Sequence, residues 1–153
     1  MPQPHPSIPL LRTLILLLAL TSLAFLLIEP HFEGRNAHST FFAVYFKDPF
    51  LAYAYLASIP YFTALYQAYK ALTSIGQGKT FSPETLKAVR AVKLCALTFL
   101  AFVIGGLLFI MIQPSDDRAG GVVIGLVVTF GTVAAAITAA RFERTLRDKI
   151  RND

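Results

Sequence analysis

The sequence has one cysteine, no tryptophan, three histidines and only 15% charged residues. The lone Cys95 excludes an intramolecular disulfide and, lying inside an apolar run, reads as a small buried hydrophobe. With 55% of residues hydrophobic, so low a charge content excludes an ordinary soluble domain, in which about a quarter of residues are charged. There is no nucleophile motif, no glycine-rich phosphate loop and no HExxH pair, so a non-enzymatic protein without a cofactor is expected. The net charge of +5 raises nucleic acid as a partner. The basic residues, however, sit at the ends of apolar runs with no aromatic-interleaved basic groove, which argues against direct nucleic-acid binding.

What the sequence does have is four long apolar runs, predicting an all-α, polytopic membrane protein with four transmembrane helices. The spans are expected at about 8–28, 49–72, 88–112 and 119–140, within a single membrane domain covering 1–153, and the charged segment 141–153 extends the last helix. Pro49 to Tyr69 carries no charge over 21 residues, about 31 Å of helix and close to the hydrocarbon thickness of a bilayer. Asp48-Pro49 reads as its N-cap and first turn, and Lys70 marks its other end. The first run holds Arg12, which reaches the interface by snorkelling, and it continues through Phe25 to Ile28, past the Ser22-Leu23-Ala24 cut that a secretory signal would use. The leader Met1 to Pro9, with four prolines, is expected to stay outside the helix. Ser82-Pro83-Glu84 is a helix start, and Gln113 to Arg118 is a tight turn.

Eleven of the 14 basic residues fall on one side of such a bundle: Arg12, Lys70, Lys79, Lys87, Arg90, Lys93 and the five from Arg141 to Arg151. By the positive-inside rule both termini and the second connection face the cytoplasm, in a multi-pass protein of the cell inner membrane. Its first partner is the lipid bilayer.

The apolar cores hold no Asp, Glu, Lys or His, which counts against ion-coupled transport. A small permeation or transport subunit remains the alternative, with Ser58, Thr63, Thr98 and Thr132 as its mid-membrane polar groups. Small residues suggest close helix packing: Gly121 and Gly125 with Thr129 on the last span, and Ala64 and Ala68 with Ala57 and Ala71 on the second. The same stripes would also serve a homo-oligomer. Pro60 removes the hydrogen bond that the Leu56 carbonyl would accept, predicting a kink; Thr63 or a neighbouring helix is available to satisfy that carbonyl. Tyr55, Phe62, Tyr66 and Tyr69 share a face that suits packing and interface anchoring or, alternatively, an aromatic groove for an apolar ligand.

The connection Glu29 to Asp48 carries Glu33, Arg35 and Asn36, a candidate recognition element on the outer side, with Arg35 expected to pair with Asp116 or Asp117. Its Phe41 to Phe46 run is expected at the headgroup level. His31 and His38 with Glu29 and Glu33 are too loosely spaced to predict a metal site. In the tail, Phe142, Leu146 and Ile150 face one way and Arg144, Arg147 and Arg151 the other, as in a lipid-surface helix or a docking site for a cytoplasmic protein. Glu143 with Arg147 and Arg144 with Asp148 are spaced to pair.

Several stretches resemble a bacterial four-helix membrane family catalogued as domain of unknown function 2975. They are Glu33 to Ala37, Tyr45 to Pro60, Ala64 to Ala68, Asp116 to Gly121, and Phe142-Glu143-Arg144. The resemblance implies a small inner-membrane protein with no assigned catalytic residues. It also implies, as a candidate partner, a small helix-turn-helix regulator encoded nearby in many relatives.

Overall fold

The computed structural model describes residues 5–32, 40, 49–114 and 118–152, without the side chains of 29–32. Four helices make up the described chain: α1 (Ser7–Phe32), α2 (Pro49–Gly76), α3 (Pro83–Ile112) and α4 (Arg118–Asn152). The expected outer-loop residues Glu33, Arg35 and Asn36, the run 41–46, and Asp116 and Asp117 lie outside the described residues.

Helix α1 begins two residues before Pro9, earlier than the proline-rich leader predicts. In the first turn backbone N–H groups have no intrahelical partner, so a proline there removes nothing the helix uses. At its other end α1 runs past Ile28 to Phe32, and α2 runs past Leu72 to Gly76. Gly78, at φ 77°, takes the left-handed conformation that closes α2, and the Lys79 N–H donates to the Ser74 carbonyl at 3.0 Å.

The start of α3 is built as its sequence dictates. Ser82 is extended and its Oγ accepts from the Thr85 N–H at 3.2 Å, with Pro83 in the first turn. The fully buried Thr85 hydroxyl donates to the Lys79 carbonyl at 2.8 Å, tying the connection to the helix. Ser82→Ala is expected to destabilise the protein by about 1 kcal/mol, read as a lower melting temperature in detergent. An unchanged melting temperature would mean that Pro83 and the Thr85 hydroxyl define this start without the cap.

Close backbone approach is confined to helices that are neighbours in the chain. Among the described residues, no backbone positions of α1 and α3, α1 and α4, or α2 and α4 come within 8 Å. The helices alternate in direction: Ile8 lies against Gly76, and Lys149 Nζ sits 5.7 Å from the Phe81 ring centre. The start of α1, the α2–α3 connection and the end of α4 therefore share one end of the bundle.

Three helices are long and apolar enough to cross a membrane: α1 through Ile28, α3 and α4. Helix α2, the expected second span, has the length, 28 residues or about 42 Å, but is less apolar than the others. Five tyrosines, Gln67 and Lys70 within it are the cause. Those hydroxyls are not idle: Tyr53 donates to the Phe102 carbonyl at 2.7 Å, Tyr55 to the Leu26 carbonyl at 3.3 Å, and Tyr61 shares a 2.7 Å hydrogen bond with Ser22.

Helix α2 continues through Pro60. The Thr63 hydroxyl donates to the Ile59 carbonyl at 2.7 Å rather than to Leu56, because a threonine on a helix reaches the carbonyl four residues back and Leu56 lies seven back.

Candidate functional site

The most distinctive chemistry lies at the end shared by the two described termini. Helix α4 meets α3 along a seam of alternating spacings of four and three: Gly125, Thr129, Thr132, Ala136, Ala139, Glu143 and Leu146. The last five of these are buried. Small residues let the two backbones approach closely. Near the end of that seam, Glu143 is only 2% exposed. One of its carboxylate oxygens pairs with Arg147 one turn on, and the other faces Lys93 of α3 and no hydrogen-bond donor besides it among the described residues.

The Lys93 hydrogen bond holds the Glu143 carboxyl below its ordinary value. Burial opposes this by penalising the charged form, while the charge of Lys93 and then the hydrogen bond and charge of Arg147 reinforce it. Leu146, wholly buried, packs with Ala71, Ala88 and Val89, and Leu86 and Phe142 lie against that cluster. The expectation that 141–153 lies on the lipid surface is thus corrected, since the apolar side of the tail is covered by α2 and α3 of its own chain. Arg144 and Asp148, the other expected pair, are both exposed and do not form an ion pair.

Around this ionic centre the basic residues point outward. Lys70, Lys79, Lys87, Arg90, Arg141, Arg144, Arg147, Lys149 and Arg151 are all exposed, against Glu84 and Asp148 as exposed acids. The arrangement is a predominantly positive end face, built around a buried carboxylate and capable of attracting an acidic surface.

The middle of the molecule differs in character. A cavity of about 750 Å³ lies among all four helices, within the usual range for ligand sites. Its walls are almost wholly hydrocarbon, including Phe25, Phe62, Phe99 and Ala135. Ala64 and Ala68, expected as close-packing residues, instead line this cavity and are half-buried. They do so because α1 and α4 do not meet across from α2. Gly121 and Gly125 turn toward Ile110 and Leu107 of α3, so that stripe is used within the chain.

Of the hydroxyls considered for a polar path, Ser58 and Thr132 line the cavity but donate to the Tyr55 and Val128 carbonyls of their own helices, at 2.6 and 2.7 Å. Thr63 and Thr98 are exposed and bond to their own helices.

Two features escaped sequence reasoning. Gly105 and Gly106 seat the Tyr53 ring, whose Oη lies 2.5 Å from where a Cβ at 105 would be; the adjacent glycines in mid-helix are the signal. The burial of Glu143 was also legible in principle, by extending the small-residue seam from Gly125 in steps of four and three.

Among known proteins, the family model described as Protein of unknown function (DUF2975) matches residues 33–151. The chain is 36% identical over 107 residues to the uncharacterized membrane protein YoaS of Bacillus subtilis (strain 168), covering 69% of this chain and 67% of that protein. No solved structure matches.

Proposed function

The chain belongs to the DUF2975 family of membrane proteins, and from that premise we propose that it is a non-enzymatic, inner-membrane interaction protein whose basic end face docks a cytoplasmic partner. The observation that carries this reading is the ordered end itself: the ion pairs of Lys93 and Arg147 with the buried Glu143, together with the fully buried Leu146, fix the end of α4. A surface of fixed shape and predominantly positive charge favours recognition over mere lipid attraction. The partner is a soluble protein with an acidic face, of which a helix-turn-helix regulator is the candidate the family resemblance suggests.

The reading places all four helices across the membrane. Helix α2 packs between α1 and α3, both apolar enough to span, and four of its five tyrosines bond through their hydroxyls to those neighbours. Four antiparallel crossings put both termini on one side, and the basic bias makes that side the cytoplasm. A periplasm-dependent reporter fused after Asp153 is expected to be silent; an active one overturns the topology.

The partner is tested by capture from native membranes with the wild type and with Arg141→Glu/Arg144→Glu/Arg151→Glu. The expected result is a soluble protein retained by the wild type and lost from the variant. Retention unaffected by three charge reversals rejects the basic face as the docking site.

A further inference from the structure

The central cavity has walls that offer water little. Four of its hydroxyls are already engaged, Ser22 with Tyr61, Ser58 with the Tyr55 carbonyl and Thr132 with the Val128 carbonyl, and the remaining one, Thr21, is exposed. A water molecule needs two to four polar partners to be held in a buried site. The occupant that matches these walls is hydrocarbon. Access is lateral, because among the described residues the backbones of α1 and α4 nowhere come within 8 Å and the cavity between them is partly open. For helices that span a bilayer, that opening faces acyl chains. The lining on α2 extends from Ala54 to Ala68, about 21 Å of helix, enough to accommodate the roughly 15 Å of one leaflet.

A charged group stands just beyond the end of this lining. Arg12 lies six residues before Leu18, the first lining residue of α1, and Tyr69 directly follows Ala68, the last of α2. The Arg12 guanidinium donates one hydrogen bond to the Tyr69 hydroxyl at 2.8 Å and stacks over its ring at 4.7 Å. Among the described residues it forms no ion pair and no other hydrogen bond. A half-buried guanidinium with most of its donors unused, held in place by a neutral aromatic side chain, is suited to a phosphate oxygen.

We propose that the cavity between α1 and α4 holds one acyl chain of an anionic glycerophospholipid whose phosphate is bound by Arg12. The site depends on the helices lying in a bilayer but not on any partner at the basic face, so loss of the partner leaves it intact.

Gly131 supplies a clean test. It lines the cavity, and a Cβ there would meet nothing within 4 Å, so Gly131→Leu fills the space without a clash in its first atom. The purified protein is delipidated in detergent. Phosphatidylglycerol and phosphatidylcholine of matched chains are then titrated, with retention read by native mass spectrometry and by the melting temperature. Glycerol 3-phosphate is the chainless control.

Wild type is expected to retain phosphatidylglycerol over phosphatidylcholine and to ignore glycerol phosphate. Arg12→Gln should lose about tenfold in phosphatidylglycerol affinity, the equivalent of one charge-assisted hydrogen bond, and with it the headgroup preference. Gly131→Leu should lose retention of both lipids while melting, without lipid, at the wild-type temperature or above. Undiminished phosphatidylglycerol retention by Arg12→Gln overturns the phosphate site, and equal retention of the two lipids by wild type overturns the choice of an anionic lipid. Undiminished retention by Gly131→Leu overturns the chain site. A melting shift with glycerol phosphate alone overturns the lipid as ligand.

Discussion

Glu143→Ala is expected to lower the stability of the purified protein by about 2 kcal/mol, read as a fall in melting temperature at neutral pH. Removing one member of a buried pair leaves the other charge without compensation, at a cost of about 3 to 5 kcal/mol when both are fully enclosed. Lys93 retains 25% side-chain exposure, so part of that penalty is relieved by water. Arg147, with 60% of its side chain exposed, is solvated whether or not the carboxylate is present.

The double replacement Lys93→Met/Glu143→Leu should recover most of the loss, because it removes both charges and fills the same volume with hydrocarbon. If the double variant is no more stable than Glu143→Ala, the cost lies in lost packing rather than in an uncompensated charge.

The same group sets the acid response. Its carboxyl is held below the ordinary 4.5 in the folded protein, so the unfolded chain binds the proton more readily. The stabilisation is therefore present at pH values above the unfolded value and disappears as pH falls through the folded one. Melting temperature followed downward from pH 6 should decline for the wild type below about pH 4.5. It should decline less for the double variant, and parallel curves would show that other carboxylates govern acid unfolding.

The helices were legible because long uncharged runs and Ser82-Pro83-Glu84 announce themselves locally. What covers each apolar face was not, and the reason is physical. Inside a membrane, lipid and protein are equally apolar, so hydropathy does not distinguish Leu146, wholly buried, from Ile124, which is 65% exposed. The amphipathic pattern of the tail fits a lipid-surface helix or a docking site equally well, and its buried side is satisfied by neighbours in its own chain. Helix α2 illustrates the converse. Its tyrosines lower its hydropathy, yet four of those hydroxyls bond to adjacent helices, an accommodation that a residue scale does not register. The cavity was legible only as one of two readings of the α2 aromatic face, and of that face only Phe62 lines it. The outer-loop recognition residues fall outside the described residues and carry nothing further.

Gly125→Leu should cost about 1 to 3 kcal/mol, the range for forcing extra volume into a packed interior, whereas Val127→Leu should stay within about 0.5 kcal/mol. The two positions are half a turn apart and meet different surroundings. A Cβ at 125 would lie 2.8 Å from Leu107 Cγ, a branch point that moves only if the whole side chain does. Val127 is 66% exposed. Gly121 grades the effect, since a Cβ there would meet Ile110 at 3.4 Å, an ordinary contact, so Gly121→Ala should be tolerated better than Gly125→Ala. The measurement is thermal melting of the variants in one detergent. Because Gly125 lies 18 residues before Glu143, five full turns along one face of α4, the loss should be transmitted along the seam. Gly125→Leu should therefore weaken the acid response of melting that Glu143 supplies. Equal melting of the 125 and 127 leucine variants, with the acid response unchanged, would place Gly125 toward lipid and detach the seam from the ionic centre.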